Sequence, residues 1–115
     1  MTNFNLNNND YSQETNLKCS IESVYLPSSV KYIGCSAFAD CKNLETVILP
    51  TSTDDNQYRI NEGAFYECSK LTKFNYLGTI EQWNKITKYN QWDYGTADYI
   101  VYCNDGNLTK EEVNA

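Results

Sequence analysis

The sequence has no histidine, only two prolines and one methionine, and no apolar run long enough to cross a bilayer. Without histidine the commonest general base at neutral pH is missing. A zinc site would have to be assembled from scattered thiolates and carboxylates. The five glycines, Gly34, Gly63, Gly78, Gly95 and Gly106, lie too far apart for a phosphate-binding loop. Positive charge is scarce as well: nine Lys and Arg stand against fifteen Asp and Glu, a formal charge of −6. That balance argues against nucleic acid or an anionic membrane as the direct partner. The cysteines, Cys19, Cys35, Cys41, Cys68 and Cys103, are odd in number and lack CxxC pairing, which favours free buried thiols. No secretory signal is read in the polar, Asn-rich stretch "TNFNLNNNDYSQETN" after Met1. The chain is therefore expected to be either a whole cytosolic protein or a piece of a longer secreted one.

What the sequence does contain is a repeat. "IESVYLPSSVKYIGCSAFADCKN" (Ile21–Asn43, 23 residues) aligns with "LETVILPTSTDDNQYRINEGAFYECSK" (Leu44–Lys70, 27 residues). The difference is one insertion of four within the polar run "TSTDDNQYR". Ile33 then matches Ile60, Ala37 matches Ala64, Phe38 matches Phe65 and Cys41 matches Cys68. A third unit opens at Leu71, with Phe74 and Tyr76 in place of Val47 and Leu49. A period of this length marks a solenoid, in which one turn of chain buries its apolar face only against the next. Within Val24-Tyr25-Leu26 and Val47-Ile48-Leu49, alternation sends the outer residues inward and the middle one outward. Short strands of this kind should form a parallel ladder, ended at Pro27 and Pro50 by a residue without an N–H. Ile21, Leu44 and Leu71 should enter the core just before each rung. Phe38 and Phe65 should stack, with Cys41 and Cys68 beneath the next strand.

The pattern Ile-Gly-x-x-Ala-Phe-x-x-Cys-x-x-Leu-x-x-Val-x-Leu-Pro, met at Ile33, Gly34, Ala37, Phe38, Cys41, Leu44, Val47, Leu49 and Pro50, resembles the BspA-type leucine-rich repeat. The second pass has Asn61 where the first has Gly34, and Asn tolerates a left-handed backbone there. The tail, with Gly78-Thr79, Trp83, Ile86, Trp92, Gly95 and Cys103-x-Asp105-Gly106, is similar to the closing segment of such proteins. The resemblance spans Ile21 to Gly106 and leaves the first twenty residues outside. It implies a leucine-rich repeat solenoid, a short parallel β-ladder that is mostly β with turns, capped by a C-terminal helix and strand. The expected division is an N-terminal cap, a loose first rung or a partly disordered segment, at 1–20, holding the few apolar anchors Phe4, Leu6, Leu17 and Cys19. Repeat coils at 21–77 and a C-terminal cap at 78–115 follow. In that cap Thr79–Lys88 reads as a lid helix with a Thr79/Gln82 capping box. Trp83 and Trp92 seal the last coil, and "DYIVYCNDG" adds a final rung with a turn at Asp105-Gly106.

No catalytic constellation is expected, nor a cofactor or a metal. Cys35, opposite Glu62 of the other copy, is the cysteine placed nearest solvent. The pairs Asp54-Asp55 and Glu111-Glu112 read as solvated, and "NLT" at Asn107–Thr109 matches a glycosylation sequon. Binding to a protein partner is the better expectation. The outward column reads Ser23 and Tyr25, then Thr46 and Ile48, then Lys73 and Asn75, with Tyr25 and Ile48 as one apolar step. The Thr51–Arg59 loop is the second candidate. Ten tyrosines supply contacts of low entropic cost. The resemblance implies a microbial surface recognition or adhesion module, monomeric or weakly self-associating, at the cell surface or secreted. The alternative is a small cytosolic inhibitor of mobile-element or phage type; a redox or metal protein using the cysteines is the third and weakest reading.

Overall fold

The computed structural model describes residues 20–28, 30, 32–51 and 59–115. Each passage of the chain contributes one strand to each of two ladders. The first ladder takes β1 (Ser23–Tyr25), β3 (Thr46–Leu49), β5 (Lys73–Tyr76), β7 (Ile100–Cys103) and β8 (Gly106–Thr109), in that spatial order. The second takes β2 (Tyr32–Ile33), β4 (Arg59–Ile60) and β6 (Thr87–Lys88). All pairings are parallel except the last, β7 with β8. Two one-turn helices, α1 (Ile80–Asn84) and α2 (Lys110–Val113), complete the elements among the described residues. The architecture is thus mostly β, with a parallel sheet and few helices. The expected N-terminal anchors Phe4, Leu6, Leu17 and Cys19 lie outside the described residues, as do 52–58 of the Thr51–Arg59 loop.

The register of the first ladder is the one the repeat requires. Val24 pairs with Val47, Val47 with Phe74, and Phe74 with Val101. These four side chains point inward and are buried. Leu44 and Leu71 are fully enclosed, whereas Ile21 is only partly covered. The prolines act as expected: β1 and β3 end just before them, with the N–H of Leu26 still donating to the Ile48 carbonyl at 3.0 Å.

Between the ladders run tight turns, Cys35–Asp40 and Glu62–Glu67, whose backbone groups are shared between circuits. The N–H groups of Ala37 and Ala39 bond within their own turn, to the carbonyls of Gly34 and Ser36. Those of Ser36, Phe38 and Asp40 cross to the carbonyls of Glu62, Ala64 and Tyr66, at 2.7–3.0 Å. The same alternation recurs one circuit on, where Gly63, Phe65 and Glu67 donate to Asn90, Trp92 and Tyr94. Matching turns demand matching dihedrals. Ser36, Gly63 and Gln91 have φ of 56°, 65° and 57°, and Asp40, Glu67 and Gly95 have 61°, 61° and 81°. These are the left-handed positions of the repeat. Gly34 and Asn61 are not among them, so the reason given above for tolerating Asn61 does not hold.

Phe38 and Phe65 stack as expected, 5.6 Å between centroids with rings 6° from parallel. Phe65 also meets Phe74 and Trp92 edge-on. The Cys68 thiol donates to the Phe38 carbonyl at 2.9 Å. In the third circuit the hydrogen-bond register places Trp92 where Ala64 stands and Asp93 where Phe65 stands. The indole of Trp92 fills the aromatic layer sideways, against Phe65, Phe74, Trp83 and Tyr99. Trp83 and Trp92 are both buried, in keeping with a sealing role.

Two local expectations change. The capping box of Thr79 and Gln82 is present, but the helix stops at Asn84 instead of reaching Lys88. Thr87 and Lys88 are drawn into the second ladder beside Arg59 and Ile60, and the Tyr89 N–H donates to the Ile60 carbonyl. Ile86 and Thr87 are β-branched and suit the extended form. The hairpin turn is Asn104-Asp105, flanked by the pair Cys103 and Gly106. Asp105 does more than turn the chain: its Oδ1 accepts the Ile80 N–H at 2.9 Å and anchors the start of α1.

Phe65→Ala should cost about 3–5 kcal/mol in urea denaturation, because the ring contacts three other aromatic side chains and leaves a cavity among them; a neutral result would show that the register is wrong. Gln91→Gly should raise stability by about 0.5–1 kcal/mol, since relief of the left-handed φ exceeds the added chain entropy.

Candidate functional site

The outward side of the five-stranded sheet carries two rows of side chains. In one, Ser23, Thr46, Lys73, Ile100 and Thr109 are neighbours; in the other, Tyr25, Ile48, Asn75, Tyr102 and Asn107. The sequence-based candidates, Ser23, Tyr25, Thr46, Ile48, Lys73 and Asn75, therefore occupy adjacent positions on one face. Tyr25 is 58% exposed and Ile48 half-buried beside it. Ser23 and Lys73 are exposed, Thr46 and Asn75 half-buried.

Four positions of the same face escaped the sequence reading: Ile100 and Tyr102 on β7, Asn107 and Thr109 on β8. The alternation of "DYIVYC" indicates the strand, and stepping 27 residues on from Lys73 and Asn75 would have placed Ile100 and Tyr102 on the face. Tyr102 is 38% exposed, and the Lys73 ammonium lies 5.6 Å from its ring centroid. This cation–π contact leans the one charge of the two rows toward β7. Leu77, just past β5 with its N–H bonded to the Leu49 carbonyl, is 43% exposed at the margin of the face.

The second candidate, the Thr51–Arg59 loop, is described only at its ends. Thr51 is half-buried, and the Arg59 guanidinium lies 5.7 Å from the Tyr32 ring centroid.

Polar chemistry collects instead at the third circuit. Asp93 is buried, and its Oδ2 accepts from the Tyr99 hydroxyl at 2.6 Å and from Asn114 Nδ2 at 2.9 Å. Burial raises the Tyr99 phenol well above its usual value, and the Asp93 carboxylate adds to that. Nearby, Lys88 Nζ donates to the carbonyls of Trp83 and Ile86 at 3.2 and 3.1 Å and sits 4.8 Å from the Trp83 ring. It thereby closes the end of α1. Desolvation lowers this amine to about 8, against the opposing pull of Asp93. A shallow groove beside it is lined by Cys35, Asn61, Glu62, Lys88, Tyr89 and Asn90. Every one of these contacts has a packing role, and none sets a nucleophile against a base.

Cys35, Cys41, Cys68 and Cys103 are not joined in disulfides, with Cys35 exposed and Cys41 and Cys68 buried. The hydrogen bond with Cys41, together with burial, pushes the Cys68 thiol far above its usual value. Among the described residues no group of three or more His, Cys, Asp or Glu could hold a metal ion. Among them, too, no helix is long and apolar enough to cross a membrane.

Compared with known proteins, residues 9–91 match the model of the BspA-type leucine-rich repeat region, in six copies. The match starts earlier than the repeat read from Ile21 and takes in part of the segment first placed outside it. No curated protein and no solved structure matches the chain.

The lowered value of Lys88 sets a pH dependence. Between about pH 8 and the ordinary lysine range near 10.5, the unfolded chain holds a proton on this amine that the folded chain has released. Stability therefore rises with pH through that window, and the cost of the buried charge is complete below it. Lys88→Met should remove the effect. Urea denaturation at pH 7.5 and 9.5 should show the wild type gaining on the variant, with background titrations shared by both cancelling in the difference.

Proposed function

Since the chain belongs to the BspA-type leucine-rich repeat family, we propose that it is a non-catalytic protein-binding module, a short solenoid that works through the outward face of its five-stranded sheet. The observation that carries this reading is the make-up of that face. Ten outward positions hold a single charge, Lys73, in a chain with 21% charged residues. The remainder are Tyr, Ile, Ser, Thr and Asn. Rings and amides of this kind give contact area and hydrogen bonds at little cost in side-chain entropy. The face is also rigid, because every strand except the outer two is hydrogen-bonded on both sides.

In this role Tyr25 with Ile48, and Tyr102 with Lys73, are the anchors; Ser23, Thr46 and Asn75 fill between them. Residues 21–77 supply the first coils, the third circuit runs on to Gly95, and the segment after it closes the stack. No cofactor is needed. The biological setting is recognition or adhesion at a microbial surface.

The test is capture with the wild type and with the Tyr25→Ala/Ile48→Asp double variant as paired baits. A partner bound by the first and weakened at least about tenfold by the second, with unchanged circular dichroism, supports the face. Equal retention would move the site to the Thr51–Arg59 loop or to α1. Captures from host or neighbouring cells and from the source cytosol separate an adhesive module from a small inhibitor of one cytosolic protein.

A further inference from the structure

The charge around this face is ordered, and the order narrows the kind of partner, provided the face is the binding surface. Glu22 immediately precedes β1 and Glu45 immediately precedes β3. The Glu45 N–H donates to the Glu22 carbonyl at 2.8 Å, so the two residues sit one above the other at one margin. Both are exposed, and neither makes an ion pair with a described residue. One strand further the same margin position is Thr72, whose N–H bonds to the Glu45 carbonyl. The same margin runs on through Tyr99 to Lys110, whose N–H bonds to the Tyr99 carbonyl and which Glu111 and Glu112 follow, so Glu22 and Glu45 are its acidic pair at the β1–β3 end. On β5 the one cation of the face, Lys73, is directed toward Tyr102. At the opposite margin stand Pro27, Pro50 and Leu77, the last 43% exposed. The face is acidic on one flank beside β1 and β3, carries Lys73 and the exposed Tyr25 and Tyr102 between the flanks, and is apolar on the other flank.

Its size narrows the occupant further. Five strands at about 4.8 Å span about 19 Å, and three outward positions across the strands span about 13 Å. Among the described residues the face is therefore a strip about as wide as one helix. An α-helix is about 10–12 Å wide, and about 13 residues of it cover 19 Å. We propose that this face receives one amphipathic helix of a protein partner, laid along the stacking direction, with basic residues over Glu22 and Glu45 and its apolar stripe on Tyr25, Ile48 and Leu77.

The probes are three synthetic helical peptides of about 18 residues with the same leucine stripe and a Lys, Gln or Glu flank. Fluorescence anisotropy follows each against the full chain. The Lys peptide should bind about tenfold more tightly than the Glu peptide at low salt, and the gap should close at high salt. Glu22→Gln with Glu45→Gln should abolish most of the preference, whereas Glu62→Gln with Glu81→Gln, the same change in net charge away from this margin, should leave it. Tyr25→Ala/Ile48→Asp should weaken all three peptides. Equal binding of the Lys and Glu peptides that is lost in the Tyr25/Ile48 variant overturns the charge assignment and leaves the face standing. Binding that survives the Tyr25/Ile48 variant overturns the face itself. A preference equally sensitive to both Glu pairs reduces the effect to net charge and overturns the proposal, as does failure of all three peptides to bind.

Discussion

Every second N–H in the turns between the ladders has its acceptor in the next circuit, and the rest of the structure follows from that division. Ser36, Phe38 and Asp40 donate to carbonyls of Glu62, Ala64 and Tyr66, and Gly63, Phe65 and Glu67 repeat the pattern. Stacking takes these donors out of water, and each one left unpaired there would be a substantial desolvation cost. The sharing fixes the spacing between circuits, which in turn brings Phe38 onto Phe65 and Cys68 beneath Phe38. It also explains why Ser36, Asp40, Glu67 and Gln91 accept a left-handed backbone that side chains disfavour. Turns that stack must share dihedrals, and the stacking outweighs the local preference.

The third circuit keeps this backbone pattern but changes the side chains within it. Trp92 and Asp93 replace the small residue and the Phe of earlier circuits, and Tyr99 stands near the Leu71 position. The large indole restores the apolar volume that the missing Phe would have filled. The carboxylate is supplied with two donors, Tyr99 from the same circuit and Asn114 just beyond α2. Both partners lie later in sequence than Asp93, so the segment that follows β7 is needed to satisfy it. Lys88 plays the matching role at the end of α1, reaching from β6 to the Trp83 carbonyl within the helix and the Ile86 carbonyl just beyond it. Family membership rests on the repeated pattern in residues 9–91; these end-of-stack devices lie largely after it.

The ladder over β1, β3 and β5, its register and its buried residues were legible in the sequence, because alternation and the fixed Ile-Ala-Phe-Cys-Leu spacing act over several residues at once. The second ladder was not, since a two-residue strand leaves almost no periodic signal; Ile33 and Ile60 matched without revealing that they pair. The length of α1 was overestimated for the same reason, as the tertiary pull of β4 on Thr87 and Lys88 is invisible locally. Of the candidate face, Ser23 to Asn75 could be read by copying the repeat, whereas Ile100 and Tyr102 fell in a strand that no longer resembles it. The Asp93–Tyr99–Asn114 contact was beyond reach, because its members share no motif and meet only through the fold.

Asp93 also bears on how molecules of this kind meet one another. A stack built by adding like units presents, at its last unit, a template for the next, whether that unit comes from the same chain or from another molecule. Had the aromatic column continued with a third Phe, the end would offer an apolar landing site and unspent backbone donors, the ingredients of open head-to-tail growth. A carboxylate already engaged by Tyr99 and Asn114 offers an arriving unit no ring to stack on, and displacing its donors would strand a charge. The residue that ends the pattern within the chain thereby works against filament formation between chains.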